Sequence, residues 1–128
     1  MTIHIKHIDH IVMTVNDINK TCMFYQEVLS MDVKTFKNNR KALHFGSQKI
    51  NLHQKGNEFE PKANHPTIGA IDLCFIVETP INKVIQSLND LNIKIEQGPV
   101  ERTGALGKII SIYLRDPDYN LIELANYL

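Results

Sequence analysis

The chain carries one pattern twice, and that repetition limits its fold more than any other feature. In the first copy, residues 7–15 alternate as a strand, with Ile11, Met13 and Val15 on one face and Ile8, His10, Val12 and Thr14 on the other. Asn16 or Asp17 then offers a helix N-cap, and Ile18, Cys22, Tyr25 and Leu29 follow at helical spacing. Three short strand-like runs come next, at 31–36, 41–45 and 49–53, separated by turn signals at Asn38–Asn39 and Gly46–Ser47. Element by element this is βαβββ.

The second copy follows a polar, Gly- and Pro-containing connector at 54–69, which Phe59 is placed to pin down. Ile71, Leu73, Phe75 and Val77 alternate with Asp72, Cys74 and Ile76. Thr79-Pro80 reads as an N-cap with proline in the first turn, and Ile81, Val84, Ile85, Leu88 and Leu91 form the helical stripe. A strand is expected at 93–96, a Gly-containing mobile loop at 101–108, and closing strands at 109–115 and 121–127. Sliding the copies gives an offset of 62 residues through strand and helix, which lays His10 on Asp72. After the longer Gly-containing loop the offset reads 70, which lays His53 on Glu123. The expected fold is α+β: one domain over 1–128, with module one at about 5–53 and module two at about 70–128.

Composition narrows the function. Fourteen Lys plus Arg balance fourteen Asp plus Glu, so no basic surplus marks a nucleic-acid or membrane-surface binder. No apolar run approaches the ~20 residues of a membrane helix, and the first residues lack an apolar signal core. Cys22 and Cys74 are the only cysteines, too few for a disulfide framework and suited to a reducing cytoplasm. Cys74 reads as a small buried thiol.

The chemistry lies where polar side chains interrupt apolar strand faces. His10 and His53 do so in module one, Asp72 and Glu123 in module two. A lone strand histidine is usually satisfied locally, but a carboxylate set among Ile and Leu is costly unless something neutralises it. Imidazole and carboxylate at repeat-related positions form a candidate divalent-metal set, His10, His53, Asp72 and Glu123. Such mixed donors suit nickel, cobalt, zinc, manganese or ferrous iron alike. His4 and His7 complete an H-x-x-H-x-x-H run with His10, but on a strand this spacing turns His7 to the opposite face.

The segment Ile8-Asp-His-Ile-Val-Met-Thr-Val15, with Phe24-Tyr25 and Val28-Leu29, resembles the opening strand and helix of the vicinal oxygen chelate superfamily. That group includes glyoxalase I, fosfomycin-resistance thiol transferases, extradiol dioxygenases and bleomycin-resistance proteins. Ser111-Ile-Tyr-Leu-Arg-Asp-Pro-Asp-Tyr-Asn-Leu-Ile-Glu123 is similar to its closing strand pair, and the strings at 49–53 and 72–75 resemble small glyoxalase-domain proteins. The resemblance implies a paired βαβββ fold whose modules form a curled mixed sheet around a metal-centred cup, with His10 as first-strand ligand and Glu123 as last-strand ligand. Three positions depart from the pattern: His53 stands where glyoxalase I has Glu, Asp72 where it has His, and Tyr119 where the family has Gly. A tyrosine with positive φ there would be strained.

The resulting expectation is a metal-dependent, glyoxalase-like lyase or isomerase acting on a small oxygen-rich substrate. The metal serves as Lewis acid and Glu123 as general base. Ser111, Tyr113 and Arg115 share the strand face opposite Ile110, Ile112 and Leu114 and are candidate substrate contacts; an ion pair of Arg115 with Asp116 or Asp118 is the competing reading. The alternatives are a thiol transferase or dioxygenase using the same metal, or a metal-free drug- or metabolite-binding resistance protein. The low aromatic content, 7% with no Trp, weighs against the last. Open sheet edges need covering, and a neutral chain does not repel its copies, so a homodimer is expected.

Overall fold

The computed structural model describes all 128 residues. They form two compact units, Met1–Ile68 and Gly69–Leu128. Unit 1 holds β1 (His10–Val15), α1 (Ile18–Leu29), β2 (Asp32–Phe36), β3 (Arg40–Phe45) and β4 (Gln48–Gln54). Unit 2 holds β5 (Asp72–Ile76), α2 (Ile81–Asp90), β6 (Gln97–Gly104), β7 (Gly107–Arg115) and β8 (Leu121–Tyr127). Each unit builds a four-stranded mixed sheet, ordered β1-β4-β3-β2 in one and β5-β8-β7-β6 in the other. In each the first strand runs parallel to the last, and the remaining neighbours are antiparallel. This is the α+β fold of two βαβββ modules that the repeat implied.

One face of each sheet is apolar and carries its helix. In unit 1, Met13, Val15, Leu43, Ile50 and Leu52 are buried together with Tyr25 of α1. In unit 2, Ile112, Leu114, Ile122 and Leu124 are buried, as are Val84 and Leu88 of α2. Each such side chain stabilises by about 1.5–3 kcal/mol relative to exposure. Asp17 caps α1 by accepting from the Lys20 amide at 3.2 Å. The cap of α2 is not the local Thr79 that the sequence suggests. Asn126 of β8 accepts from the Ile81 amide at 2.7 Å and donates to the carbonyls of Val77 and Thr79 at 3.0 Å each. A long-range side chain thus does what a local one was expected to do.

Three segments differ from the sequence reading. Residues 93–96, expected as a strand, lie outside any strand. The first strand starts at His10 rather than residue 7, because its pairing with β4 begins at His10↔Lys49. Residues 97–104, expected to be a break and a mobile loop, form β6, which pairs with β7 in a long hairpin. As an edge strand with mostly exposed residues, β6 shows no buried face and so no alternation to read. Gly98 is required there: its φ is +109°, and a Cβ would lie 2.5 Å from the Ser111 carbonyl oxygen.

The register also corrects the repeat. Val12 lies opposite Asn51 and Cys74 opposite Glu123, while the 62-residue offset relates Val12 to Cys74. The counterpart of Glu123 is therefore Asn51, at an offset of 72, and the counterpart of His53 is Ala125. β6 and β7 have 8 and 9 residues where β2 and β3 have 5 and 6, so sliding the sequence without gaps misplaces the last strand by one pleat repeat.

Candidate functional site

The face of each sheet away from its helix carries the polar residues. In unit 1 the pairing places His10, Val12 and Thr14 of β1 beside Lys49, Asn51 and His53 of β4, with Ala42 and His44 of β3 next in line. His10 is exposed, and its Nδ1 lies 2.7 Å from Asp9 Oδ1. A carboxylate only accepts, so Nδ1 carries a proton and Nε2 is the ring nitrogen left to serve as a donor atom. The same contact holds the Asp9 carboxyl below its ordinary range.

His53 sits differently. It pairs with Thr14, four residues beyond His10, or roughly 13 Å along the strand. The ring is 2% exposed, packs edge-on against Phe59 at 5.6 Å and takes Arg40 Nη2 against its Nε2 at 3.4 Å. Burial, and then the neighbouring guanidinium, push its pKa below the usual histidine value. Arg40 itself lies between the Phe36 and Phe59 rings, 5.1 and 4.4 Å from their centroids, so Phe59 does tie the connector down. Asn51, the residue the repeat arithmetic passed over, is buried with no partner for its Oδ1.

In unit 2 the corresponding face carries Asp72 and Cys74 of β5, Glu123 of β8, and Ser111, Tyr113 and Arg115 of β7. Glu123 lies beside Cys74 on one side and Tyr113 on the other. The Cys74 thiol donates to Glu123, and burial together with that carboxylate pushes its pKa up to about 11. Cys74 is exposed rather than buried as the sequence suggested, because β5 is an edge strand. A pocket of about 400 Å³ opens over these residues, lined by Cys74, Arg102, Tyr113, Glu123 and Tyr127 and floored by Ile76 and Ile109. Arg102 Nε donates to Tyr113 Oη at 3.0 Å, and the guanidinium carbon lies 5.6 Å from that ring's centroid.

The other candidate contacts divide. Tyr113 lines the pocket. Ser111 is fully buried with no partner for its Oγ. Arg115 pairs through two nitrogens with Glu96, at 2.9 and 3.0 Å, and donates to the Tyr119 carbonyl. Its partner is thus Glu96 rather than Asp116 or Asp118. Tyr119 does adopt a positive φ, +64°. The turn is held by Asp116, whose carboxylate accepts from the Asp118 amide and from both the amide and the side chain of Asn120, at 2.9, 3.0 and 2.8 Å.

Within neither unit do three His, Cys, Asp or Glu side chains gather to hold a metal. Donor chemistry nonetheless separates the four candidates. His10 offers Nε2, and no cationic side chain forms a salt bridge with Asp72 or Glu123. The orphaned Asn51 oxygen is a fourth donor that a cation would satisfy. His53 has spent its Nε2 lone pair on an arginine and fits a metal poorly. Sequence reasoning missed Asn51 and Arg102. The first shows as a polar residue between Ile50 and Leu52; the second gave no signal, since its strand has no periodicity.

The comparisons with known proteins agree with this architecture. The chain is 60% identical over 124 residues to virulence protein STM3117 of Salmonella typhimurium, covering 97% of this chain and 86% of that protein. The crystal structure of STM3117 superposes with a TM-score of 0.97, covering 98% of this chain and 100% of that one. Two more distant structures share the fold. Lactoylglutathione lyase from Agrobacterium tumefaciens has a TM-score of 0.74 at 18% identity, covering 96% and 95% of the two chains. A mutant fosfomycin resistance protein, FosX, from Listeria monocytogenes, complexed with Mn(II), has a TM-score of 0.66 at 20% identity, covering 98% and 93%. Residues 7–124 match the family model described as Glyoxalase/Bleomycin resistance protein/Dioxygenase superfamily, and the chain belongs to that family.

Proposed function

We propose that this chain is a metal-dependent, glyoxalase-like enzyme of the lyase or isomerase type. Its substrate would be small and oxygen-rich. The observation that carries this reading is the unit 2 pocket. There the Glu123 carboxylate has no salt-bridge partner and takes a thiol hydrogen bond from Cys74. A carboxylate left in this state is available either to a cation or to a proton. The candidate donors for a divalent metal are His10 through Nε2 and Asn51 Oδ1 in unit 1, and Asp72 and Glu123 in unit 2. Bound there, the ion supplies Lewis-acid stabilisation of negative charge developing on substrate oxygen. The Mn(II) complex of the FosX mutant supports a divalent ion on this fold, and the lactoylglutathione lyase supports the reaction type.

The protein's own residues do the rest. Glu123 accepts the proton released from substrate carbon. The Cys74 S–H holds one edge of that carboxylate and stays protonated at neutral pH. Ile76 and Ile109 give the pocket apolar lining. A homodimer in the cytoplasm is the proposed setting. No helix is long and apolar enough to cross a membrane.

A turnover screen of the Mn(II)-, Ni(II)- and Zn(II)-loaded chain, on thiol adducts of α-oxoaldehydes, epoxides and catechols, tests the reading. Glu123→Gln is expected to abolish turnover while metal is retained. Normal turnover by that variant would remove Glu123 as base.

A further inference from the structure

We infer that the unit 2 pocket selects a small carboxylic acid, with Arg102 as the anchor for its carboxylate. This rests on the proposed function for what happens at Glu123, but the anchoring itself does not require a metal. Arg102 is the only cationic residue lining the pocket. Two of its N–H groups are already used: Nε donates to Tyr113 Oη and Nη1 to the Glu101 carbonyl, each at 3.0 Å. Those bonds, and the Tyr113 ring beneath the guanidinium, fix the orientation of the fork. They leave one proton of Nη1 and both protons of Nη2 for a ligand. A pre-oriented guanidinium edge matches the two oxygens of a carboxylate better than any neutral or cationic group.

The rest of the pocket sets size and polarity. Ile76, Ile109 and Ala105 line it with apolar surface, and its volume of about 400 Å³ admits a ligand of a few carbons. Arg102 starts opposite Ile109, and Tyr113, which its side chain reaches, lies opposite Glu123. A short acid held at Arg102 therefore points its other end toward Glu123. An oxygen-bearing carbon at that end would face the carboxylate that the proposed reaction uses. Arg115, the arginine the sequence offered as a substrate contact, is instead neutralised by a two-point pair with Glu96 and donates to the Tyr119 carbonyl. Arg102 is thus the specificity residue on this face.

The test is binding, measured on the chelator-treated full chain so that no metal contributes. Pyruvate, lactate and 2-hydroxybutyrate are titrated beside their amides by ligand-observed NMR. The acids are expected to bind and the amides to bind at least about ten-fold more weakly, the worth of one charge-assisted contact. Arg102→Gln should lose the acid preference and Arg102→Lys should recover part of it. Tyr113→Phe, which keeps the ring and removes the hydroxyl that orients Nε, should weaken the acids several-fold. Circular dichroism checks that each variant is folded. Equal binding of acids and amides, an unchanged preference in a folded Arg102→Gln chain, or no binding by any of the acids overturns the inference. Acid binding through Arg102 in a chain that takes up no metal would leave this inference standing and remove the metal-dependent reading instead.

Discussion

Asn120→Ala should be among the most damaging single changes outside the apolar core. Asn120 is fully buried at the start of β8 and ties three elements together. Its Nδ2 donates to Asp116 Oδ2 at 2.8 Å, and its Oδ1 accepts from the Ile71 amide at 2.9 Å, just before β5. Alanine removes both bonds. The first is charge-assisted and worth about 1.5–3 kcal/mol; the second leaves a main-chain N–H without its partner, at about 1–3 kcal/mol. Because the two share a side chain they do not add fully, and the expected loss is about 3 kcal/mol. For a chain of this size that is roughly 10 °C in Tm. Urea unfolding followed by circular dichroism measures it, with Asn120→Asp keeping the acceptor for Ile71 while bringing a second carboxylate against Asp116. A loss under about 1 kcal/mol for Asn120→Ala would refute the argument that this side chain couples β5 to β8.

Three further outcomes follow from the geometry. Tyr119→Gly should raise stability by about 0.5–1 kcal/mol, because the tyrosine is 74% exposed, buries little, and holds a φ of +64° that glycine adopts freely; a fall in Tm would contradict this. Cys74, although exposed, should react with iodoacetamide at neutral pH roughly 100-fold more slowly than an ordinary thiol, since its pKa stands at about 11 against 9.0, and Glu123→Gln should speed it, as mass spectrometry of the labelled peptide would show. His53 has a folded pKa below its unfolded one, so the folded state takes up its proton less readily. That contribution to stability is complete above the unfolded value near 6.5 and is lost as pH falls through the folded value. The urea midpoint should therefore drop between pH 7 and 5, and less so in His53→Gln; identical pH profiles would refute the assignment.

Much of the fold was legible in the sequence because buried faces impose periodicity. The alternation around Leu73 and Phe75 and the helical stripe through Val84 and Leu88 mark elements whose one side meets a core. β6 was not legible, since it lies at a sheet edge with both faces largely solvated and only the register with β7 defines it. The candidate site shows the same division. Asp72 and Glu123 stand out as carboxylates in apolar strands. Choosing His53 over Asn51 came from sliding one copy on the other without the extra residues of β6 and β7, which only strand pairing reveals. Arg102 and the capping role of Asn126 depend on contacts between residues far apart in sequence, which no local pattern encodes.

The proposed function rests on His10, Asp72 and Glu123, and not on His53, as donors to a divalent metal. Isothermal titration of Mn(II) into the tag-free, chelator-stripped chain tests it directly, with the variants His10→Ala, Asp72→Ala, Glu123→Ala and His53→Gln beside it. Mn(II) uptake is expected, with at least a ten-fold loss of affinity for each of the first three variants, the worth of a lost ligand. For His53→Gln, whose Nε2 already faces Arg40, affinity should stay within a few-fold of the parent. No uptake of Mn(II), or uptake that only His53→Gln abolishes, would contradict it.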